Sequence, residues 1–293
     1  MLIIYDSVPE FVPFMKKEGI KIYSTFKKIY FFNKIARKIA LKLNIGVAYW
    51  YDDWKKELDK VDVIIVFATQ RIDHIQYIKK HNLNIRLILW YWNPAIKMVN
   101  PMKIPKELCE MWSYDPVDCK EYGLKFNSTF YFKNIEIKEV FKDIDLLFLG
   151  IDKGRKEILF ELNNIMIENS VETYFHVVPD KKDSRTDYVK PISYKEYLCL
   201  ISRSKCILDL MPDGNNGMTL RPMEAIFFKR KLVTNFIAIK NEPFYDPENI
   251  FILGIDDFST IKQFIDSEYK EIDHKVIKEY EFKNWLSNFY RGE

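Results

Sequence analysis

Short runs of β-branched and other apolar residues alternate along this chain with longer amphipathic segments, and this alternation restricts the fold more than any other feature. Parallel strands need a crossover connection, usually a helix, and such crossovers cover both faces of the sheet. The alternation therefore favours parallel sheets covered by helices over a β-sandwich or a helical bundle. The sequence predicts the α/β class.

The strands predicted from these runs form two series, separated by the polar and charged stretch 132–140. The first series contains the segments 2–5, 47–50, 61–67, 85–90 and 110–114. The second series contains the segments 144–149, 172–177, 206–210, 232–234 and 250–253. Each series alternates with helical segments, as in a Rossmann-like domain. The 293 residues suffice for two such domains, which we predict at 1–138 and 139–275.

The last segment, residues 276–293, begins with a helical pattern that is rich in aromatic residues. Aromatic side chains bury large areas and stabilise the packing between elements. We expect this C-terminal helix to cross back from the second domain and pack on the first.

Charge and motif content exclude several classes of protein. The net charge is +3, from 45 Lys plus Arg and 42 Asp plus Glu, which is too small to indicate a nucleic-acid partner over the whole surface. The sequence contains no GxxxxGK[ST] phosphate loop, no HExxH metalloprotease motif and no GxSxG nucleophile motif. We expect no nucleic-acid partner and none of these three chemistries.

One segment, residues 16–42, is strongly basic, with Glu18 as its only acid. Apolar residues recur in it at roughly helical spacing, including Ile35, Ile39 and, just beyond the segment, Leu43. This pattern is typical first of a core helix with a solvated basic face. It also suits a helix that contacts an anionic membrane surface and, after that, one that contacts nucleic acid. These interpretations stay open at the level of sequence.

The stretch 209–225 follows an apolar strand, contains glycines and leads into a helix. In an open parallel sheet, loops after the strand ends line the ligand crevice, and a glycine turn lets backbone N–H groups approach a phosphate. Arg221 can hold a diphosphate and offset charge on a leaving group, and Glu224 can accept hydrogen bonds from ribose hydroxyls. Alternatively, Arg221 and Glu224 form a simple surface pair one helical turn apart.

Four segments of the second half occur in the order of one family: FLGIDKGR at 148–155, GMTLRPMEA at 217–225, KLVTN at 231–235 and FYDPENI at 244–250. In these segments the chain resembles bacterial glycosyltransferases of capsule, O-antigen and exopolysaccharide synthesis. The resemblance covers most of the second predicted domain. It implies a GT-B-like arrangement, in which two Rossmann-like domains face each other across a cleft.

The resemblance also implies a function and a set of donor contacts. The function is transfer of a hexose-type sugar from a UDP-linked donor, which is a substrate and not a cofactor, to a surface glycan or lipid-linked acceptor. Arg221 is implied at the diphosphate and Glu224 at the ribose, with Lys153 and Arg155 as further phosphate contacts or, alternatively, solvated cations at a helix start. The full implied donor set is Gly150, Lys153, Arg155, Tyr194, Asn216, Gly217, Thr219, Arg221 and Glu224.

Inverting transfer needs a base that deprotonates the acceptor hydroxyl. Asp6 and Glu10 follow the first predicted strand and are candidates, together with Arg221 as a catalytic group, although Asp6 can equally cap a helix. The aromatic run before Asn93 suits either sugar stacking or the core. The adjacent acids at 52–53 and 256–257 precede or begin helices, where the dipole favours carboxylates, so we expect no metal site.

The N-terminal residues 2–5 form an apolar strand, without the features of a signal peptide, and no apolar run is long enough to cross a bilayer. We expect a cytoplasmic protein, peripheral at the inner membrane face if the basic segment binds lipid. Two other functions stay open. One is a sugar-nucleotide epimerase of the same architecture, and the other is a noncatalytic subunit of a glycan-biosynthesis complex.

Overall fold

The computed structural model describes residues 1–180 and 189–290, except for the side chains of Phe31 and Phe32. The chain divides into two compact units, Met1–Ser128 and Thr129–Glu293. The segment 129–138, which the sequence analysis placed with the first domain, thus groups with the second unit. Each unit contains one sheet in which all strand pairs are parallel. The α/β class is confirmed.

The first unit has a six-stranded sheet in the order β2-β1-β3-β4-β5-β6. Its strands are β1 (Leu2–Ile4), β2 (Lys21–Tyr23), β3 (Val63–Phe67), β4 (Arg86–Tyr91), β5 (Glu110–Ser113) and β6 (Lys125–Phe126). Its α-helices are α1 (Val12–Lys17), α2 (Phe31–Leu43), α3 (Asp73–His81) and α4 (Pro116–Tyr122). The central strands β3 and β4 are almost wholly buried, as expected for apolar runs covered by helices on both faces.

Two local predictions for this unit differ from the structure. Residues 47–50, predicted as a strand, form a 3-10 helix instead. Just before it Asn44 and Gly46 adopt left-handed conformations, with φ of 54° and 61°, which reverse the chain and leave no extended segment to pair with the sheet. Strand β2 was not predicted, because it is a three-residue edge strand in which only Ile22 is buried.

The second unit has a five-stranded sheet in the order β11-β10-β9-β7-β8. Its strands are β7 (Ile144–Ile151), β8 (Thr173–Val178), β9 (Ser204–Asp209), β10 (Lys231–Thr234) and β11 (Ile250–Ile252). Its α-helices are α5 (Lys156–Glu168), α6 (Tyr194–Arg203), α7 (Leu220–Phe227), α8 (Ile261–Asp266), α9 (His274–Glu279) and α10 (Phe282–Asn288). The first strand of this unit, β7, lies between β8 and β9, so the strand order reverses at the β7–β9 pair.

The C-terminal segment forms the two short helices α9 and α10 in place of one continuous helix. The break occurs where Tyr131 pairs with it: the Tyr131 N–H donates to the carbonyl of Tyr280 at 2.9 Å, and the Phe282 N–H donates to the carbonyl of Tyr131 at 2.9 Å. Trp285 then packs on Phe130, with ring centroids 4.4 Å apart. These contacts are made within the second unit. Among the described residues, no helix has the length and apolarity needed to cross a membrane.

Candidate functional site

The candidate site lies in the second unit at the carboxyl ends of β7 and β9, where the strand order reverses. Parallel α/β sheets bind ligands in the crevice beyond the strand ends at such a reversal. Gly150 lies near the end of β7 and Asp209 ends β9, and α7 begins nearby after the loop 210–219. The stretch that the sequence analysis singled out therefore reaches this crevice.

Arg221 occupies the first turn of α7 and reaches across to both strands. Its Nη2 donates to the carbonyl of Leu149 at 2.5 Å, and its Nη1 lies 3.6 Å from Oδ1 of Asp209. The helix begins at Thr219, whose Oγ1 accepts from the Arg221 N–H at 3.2 Å and donates to Asp209 at 2.9 Å. One buried carboxylate thus fixes both the start of α7 and the guanidinium of Arg221.

Arg155 lies deeper in the same crevice than the sequence analysis expected. It is buried, and its guanidinium donates to three backbone carbonyls: Asp152 at 3.0 Å, Ile151 at 2.5 Å, and Leu210. Ile151 is the last residue of β7, and Asp152 and Leu210 directly follow β7 and β9, so Arg155 ties the two strand ends together. It is therefore not one of the solvated cations that one interpretation of the sequence expected at this helix start.

Gly150 permits the close approach of Arg221. A Cβ atom added at Gly150 would lie 2.6 Å from Nη2 of Arg221 and 3.3 Å from the ring of Phe148. Both arginines also lie over the Phe148 ring, with Arg221 at 5.0 Å and Arg155 at 5.1 Å from its centroid. The face of the Phe148 ring attracts both guanidinium groups, which helps to hold the two cations close to each other.

Glu224 lies one turn further along α7 and is only 4% exposed. Tyr197 of α6 donates its hydroxyl to Oε2 of Glu224 at 2.6 Å. Burial raises the pKa of Glu224 to about 7, although the Tyr197 hydrogen bond and the charge of Arg221 act in the opposite direction. The surface pair with Arg221 that the sequence left open is therefore not formed, because Glu224 points inward.

The charges of this crevice favour an anion. Burial lowers the pKa of Arg155 to about 10, and the positive charge of Arg221 contributes in the same direction. Burial raises the pKa of Asp209, an effect that Arg221 and the Thr219 hydrogen bond oppose. Two arginines thus share the buried carboxylate of Asp209, and the pKa of Glu224 is raised by burial. A group with negative charge would relieve this excess of positive charge.

The other predicted donor contacts border the same loops. Lys153 is exposed in a turn with left-handed φ of 47°, and its N–H donates to Asp180 at 3.0 Å. Asn216 is exposed and Gly217 is buried in the loop before α7. Tyr194 begins α6, and its hydroxyl shares a short hydrogen bond with the hydroxyl of Tyr131.

Sequence reasoning missed three residues that shape the site. Asp209 pairs with Arg221. The ring of Phe148 lies under the guanidinium groups of Arg155 and Arg221. Tyr197 donates a hydrogen bond to Glu224. Asp209 carried a recognisable signal, because an acid that ends a buried apolar strand has to find a polar partner. The ring of Phe148 and the hydroxyl of Tyr197 carried none, because apolar runs and helix faces contain many aromatics.

The candidate bases lie in the first unit. The carboxylate of Asp6 follows β1 and accepts from the N–H of Thr25, at 3.1 Å to each oxygen, so it links the segments after β1 and β2 and does not cap a helix. Asp6 also lines a cavity of about 470 Å³, whereas Glu10 is exposed in a 3-10 helix. The aromatic run before Asn93 was expected either to stack on sugars or to lie in the core. Its residues Trp90 and Tyr91 are wholly buried, so these two rings belong to the core.

Acidic residues of the two described segments, 1–180 and 189–290, form no cluster of three or more potential metal ligands with His or Cys. Asp143 and Asp145, two acids separated by one residue at the start of β7, pair with basic side chains. Asp143 pairs with Arg203, and Asp145 lies 2.7 Å from Lys205 and 2.8 Å from Lys262. These carboxylates stabilise the beginning of β7.

Comparison with known proteins supports the fold. No protein-family model matches the chain, and no curated protein sequence matches it. Among solved structures, the chain is similar to TarM with a TM-score of 0.50 and 13% identity, over 78% of this chain and 54% of that chain. This similarity, at such low identity, is one of fold.

Two further structures are similar at TM-scores below 0.5. The Glycosylation Associate Protein (Gap123) complex from Streptococcus agalactiae matches with TM-score 0.45 and 15% identity, over 81% of this chain and 53% of that one. A putative UDP-N-acetylglucosamine 2-epimerase from Listeria monocytogenes matches with TM-score 0.46 and 11% identity, over 100% of this chain and 97% of that one. The chain spans about half the length of TarM and of the Gap123 chain.

Proposed function

We propose that the second unit binds a nucleotide-sugar donor and that the protein is a glycosyltransferase of the GT-B type. The observation that carries this proposal is the position of Arg221 at the start of α7, beside the reversal of strand order between β7 and β9. A helix N-terminus and a guanidinium fork together suit a diphosphate. Of the functions left open by the sequence, transfer from a nucleotide sugar uses this arrangement most directly.

In this proposal Arg221 has the chemical role and Arg155 the supporting one. Arg221 binds the donor diphosphate and offsets the charge that develops on it as the glycosidic bond breaks. The guanidinium of Arg155 donates to three carbonyls and so keeps the strand ends in place. Its positive charge adds to that of Arg221. Because two cations supply this charge, we propose a reaction that needs no metal, and one whose rate is unaffected by EDTA.

Glu224 receives the ribose. Its carboxyl group is fixed by Tyr197 through one oxygen, Oε2. Each carboxylate oxygen has two lone pairs, so the group can still accept from a ribose hydroxyl. We propose that Tyr194, the first residue of the helix that also carries Tyr197, contacts the base.

The acceptor side belongs to the first unit in this proposal. Asp6 lines a cavity together with the cations Lys27, Lys28 and Arg37. A carboxylate there can take the proton of an acceptor hydroxyl while the cations attract negative charge elsewhere on the acceptor. We propose a glycan or lipid-linked acceptor and, because nucleotide sugars are cytoplasmic metabolites, a cytoplasmic enzyme.

The experiment is thermal unfolding of the purified protein with a panel of nucleoside diphosphates and nucleotide sugars, because a ligand that binds the folded state raises Tm. We expect a shift selective for one base that is lost in Arg221→Ala. Arg203→Ala, which removes the same charge from an exposed pair with Asp143, is the matched control and should keep the shift.

The reaction is then followed with the donor that binds. Release of nucleoside diphosphate that depends on an added acceptor supports transfer. Conversion of the donor sugar without acceptor would instead identify an epimerase, and no shift with any nucleotide would identify a noncatalytic subunit. Either of those results contradicts the proposal.

A further inference from the structure

Helix α2 turns an apolar stripe toward solvent. Ile35, Ile39 and Leu43 follow one another at intervals of four residues, and their exposed fractions are 55%, 54% and 60%. Residues four apart lie on one face of a helix. A helix that covers a sheet normally buries such a stripe, so this exposure requires an explanation.

The opposite face attaches α2 to its unit. Leu41 packs on the hydrophobic core of the first unit, and its carbonyl accepts from Arg71 at 3.1 Å. Arg37 donates to the carbonyl of Lys27 at 3.1 Å and lies over the ring of Phe26, 5.5 Å from its centroid. At 100° per residue, Leu41 lies about 200° around the helix from Ile39. The exposed stripe is therefore not needed to hold α2 in place.

A row of lysines runs beside the stripe. Lys34, Lys38 and Lys42 are exposed, and each precedes one of the three apolar residues. The row and the stripe therefore lie about 100° apart on the helix surface. The helix sequence FFNKIARKIALKL contains no acid. Beyond the two helix ends, three further apolar side chains are exposed: Tyr30, Ile45 and Tyr49.

We infer that this surface, made of the stripe and the lysine row of α2, docks on a lipid bilayer that contains anionic lipids. A helix lying in the plane of a membrane buries its apolar face at the boundary of headgroups and acyl chains while basic residues contact the lipid phosphates. Juxtaposed lysines add an attraction to anionic lipid that salt weakens. A second copy of this chain would bring another lysine row and no acid from α2 to pair with it.

The inference goes beyond the proposed function, because docking needs neither donor nor turnover. A second helix of the chain provides an internal contrast. Helix α5 also exposes apolar residues, among them Ile158 and Ile165, but acids such as Glu157 and Glu161 lie beside them. An anionic surface attracts α2 and repels α5.

The test is co-sedimentation of the full chain with vesicles of phosphatidylcholine, with and without about one third phosphatidylglycerol. One variant, Ile35→Gln/Ile39→Gln/Leu43→Gln, removes the stripe and keeps residues of good helix propensity. A second, Lys34→Gln/Lys38→Gln/Lys42→Gln, removes the charges. The matched control is Ile158→Gln/Ile165→Gln on α5. Circular dichroism and thermal unfolding establish that each variant is folded.

We expect binding to the anionic vesicles that falls at least tenfold in the stripe variant and, at about 1 kcal/mol for each lysine, roughly a hundredfold in the lysine variant. The α5 control should bind like the unmodified chain. Absence of binding to the anionic vesicles would overturn the inference, as would binding that both α2 variants retain. A dimer in solution that the stripe variant dissociates, without vesicle binding, would assign the surface to a second copy and also overturn it.

Discussion

The guanidinium of Arg221 lies against the backbone of Gly150, so closely that a Cβ atom at position 150 would be 2.6 Å from Nη2 of Arg221. The contact involves the far end of a flexible side chain, which can swing away. Gly150 and Arg221 come from segments separated by about 70 residues and meet only because β7 and β9 are neighbours. This relationship allows the position of Arg221 to be tested without removing the arginine.

Gly150→Ala should displace Arg221 while leaving the fold intact. Gly150 does not adopt a left-handed conformation, so alanine is compatible with the backbone, and we expect the free energy of unfolding to change by less than about 1 kcal/mol. The displaced Arg221 would lose its proposed charge-assisted hydrogen bond to the diphosphate, which should weaken nucleotide binding about tenfold or more. Titration calorimetry measures this change. In an Arg221→Ala background the same substitution should have no further effect on binding. An equal effect in both backgrounds would show that Gly150 acts independently of Arg221.

Glu224 should make the protein less stable as pH rises. The pKa of this buried carboxyl is raised from 4.5 to about 7, so the folded protein keeps a proton that the unfolded chain releases between these values. Stability is therefore lost as pH rises through this range, by on the order of 3 kcal/mol. The Glu224→Gln variant should not show this loss of stability. Urea unfolding of the variant and of the unmodified protein at pH 5 and pH 8 measures the difference.

The control for this experiment is Glu271→Gln, which removes a carboxylate that is exposed on the surface beside Lys229. It corrects for the change in net charge. Identical slopes of stability against pH in Glu224→Gln and the unmodified protein would contradict the assignment.

His74 should make the protein sensitive to acid. It is buried in α3, and neither ring nitrogen has a hydrogen-bond partner among the described residues. Burial lowers its pKa from 6.5 to about 4; the charge of Asp73 opposes this shift, and the charge of Arg71 adds to it. The unfolded chain therefore binds a proton that the folded protein does not, and stability is lost as pH falls from 6.5 toward 4.

His74→Leu should reduce this loss by about 2 kcal/mol at pH 4.5, measured by urea unfolding at pH 4.5 and 7. His81→Gln changes a partly exposed histidine of the same helix and is the matched control. A His74→Leu variant as acid-sensitive as the unmodified protein would show that other groups dominate acid unfolding.

Trp285→Ala should strongly destabilise the second unit. The indole is wholly buried in α10 and contacts the rings of Phe130, Phe282 and Phe289 at centroid distances of 4.4, 5.6 and 4.8 Å. Truncation of a buried aromatic leaves a cavity and costs about 3–5 kcal/mol. Chemical denaturation measures the loss, and Phe160→Ala, an exposed aromatic of α5, is the control. A loss below about 1 kcal/mol would mean that α10 packs loosely.

The sequence determined the local elements whose signals lie in neighbouring residues. The β-branched run of β3 is apolar throughout, so its burial follows from composition alone. The start of α6 was equally local, because Ser193 and Glu196 form a capping box. Residues 47–50 have the same apolar character as a strand, yet the left-handed residues before them decide their shape.

The candidate site was only partly determined by sequence. The glycine loop and Arg221 could be recognised, because a strand, a loop and a helix start follow one another along the chain. The roles of Arg155 and Gly150 could not be recognised. Arg155 binds three carbonyls, and Gly150 leaves room for the guanidinium of Arg221. Both contacts depend on the pairing of β7 with β9. Strand pairing is a long-range choice that no local pattern encodes.

Helix α2 shows the same division. Its sequence fixed which residues share a face, because 3.6 residues make one turn, and so determined both the apolar stripe and the lysine row. Only the tertiary structure decided which face the first unit receives. Leu41 and Arg37 hold the helix from one side. The more apolar stripe is left in contact with solvent, because the packing of a helix depends on the whole surface that it meets.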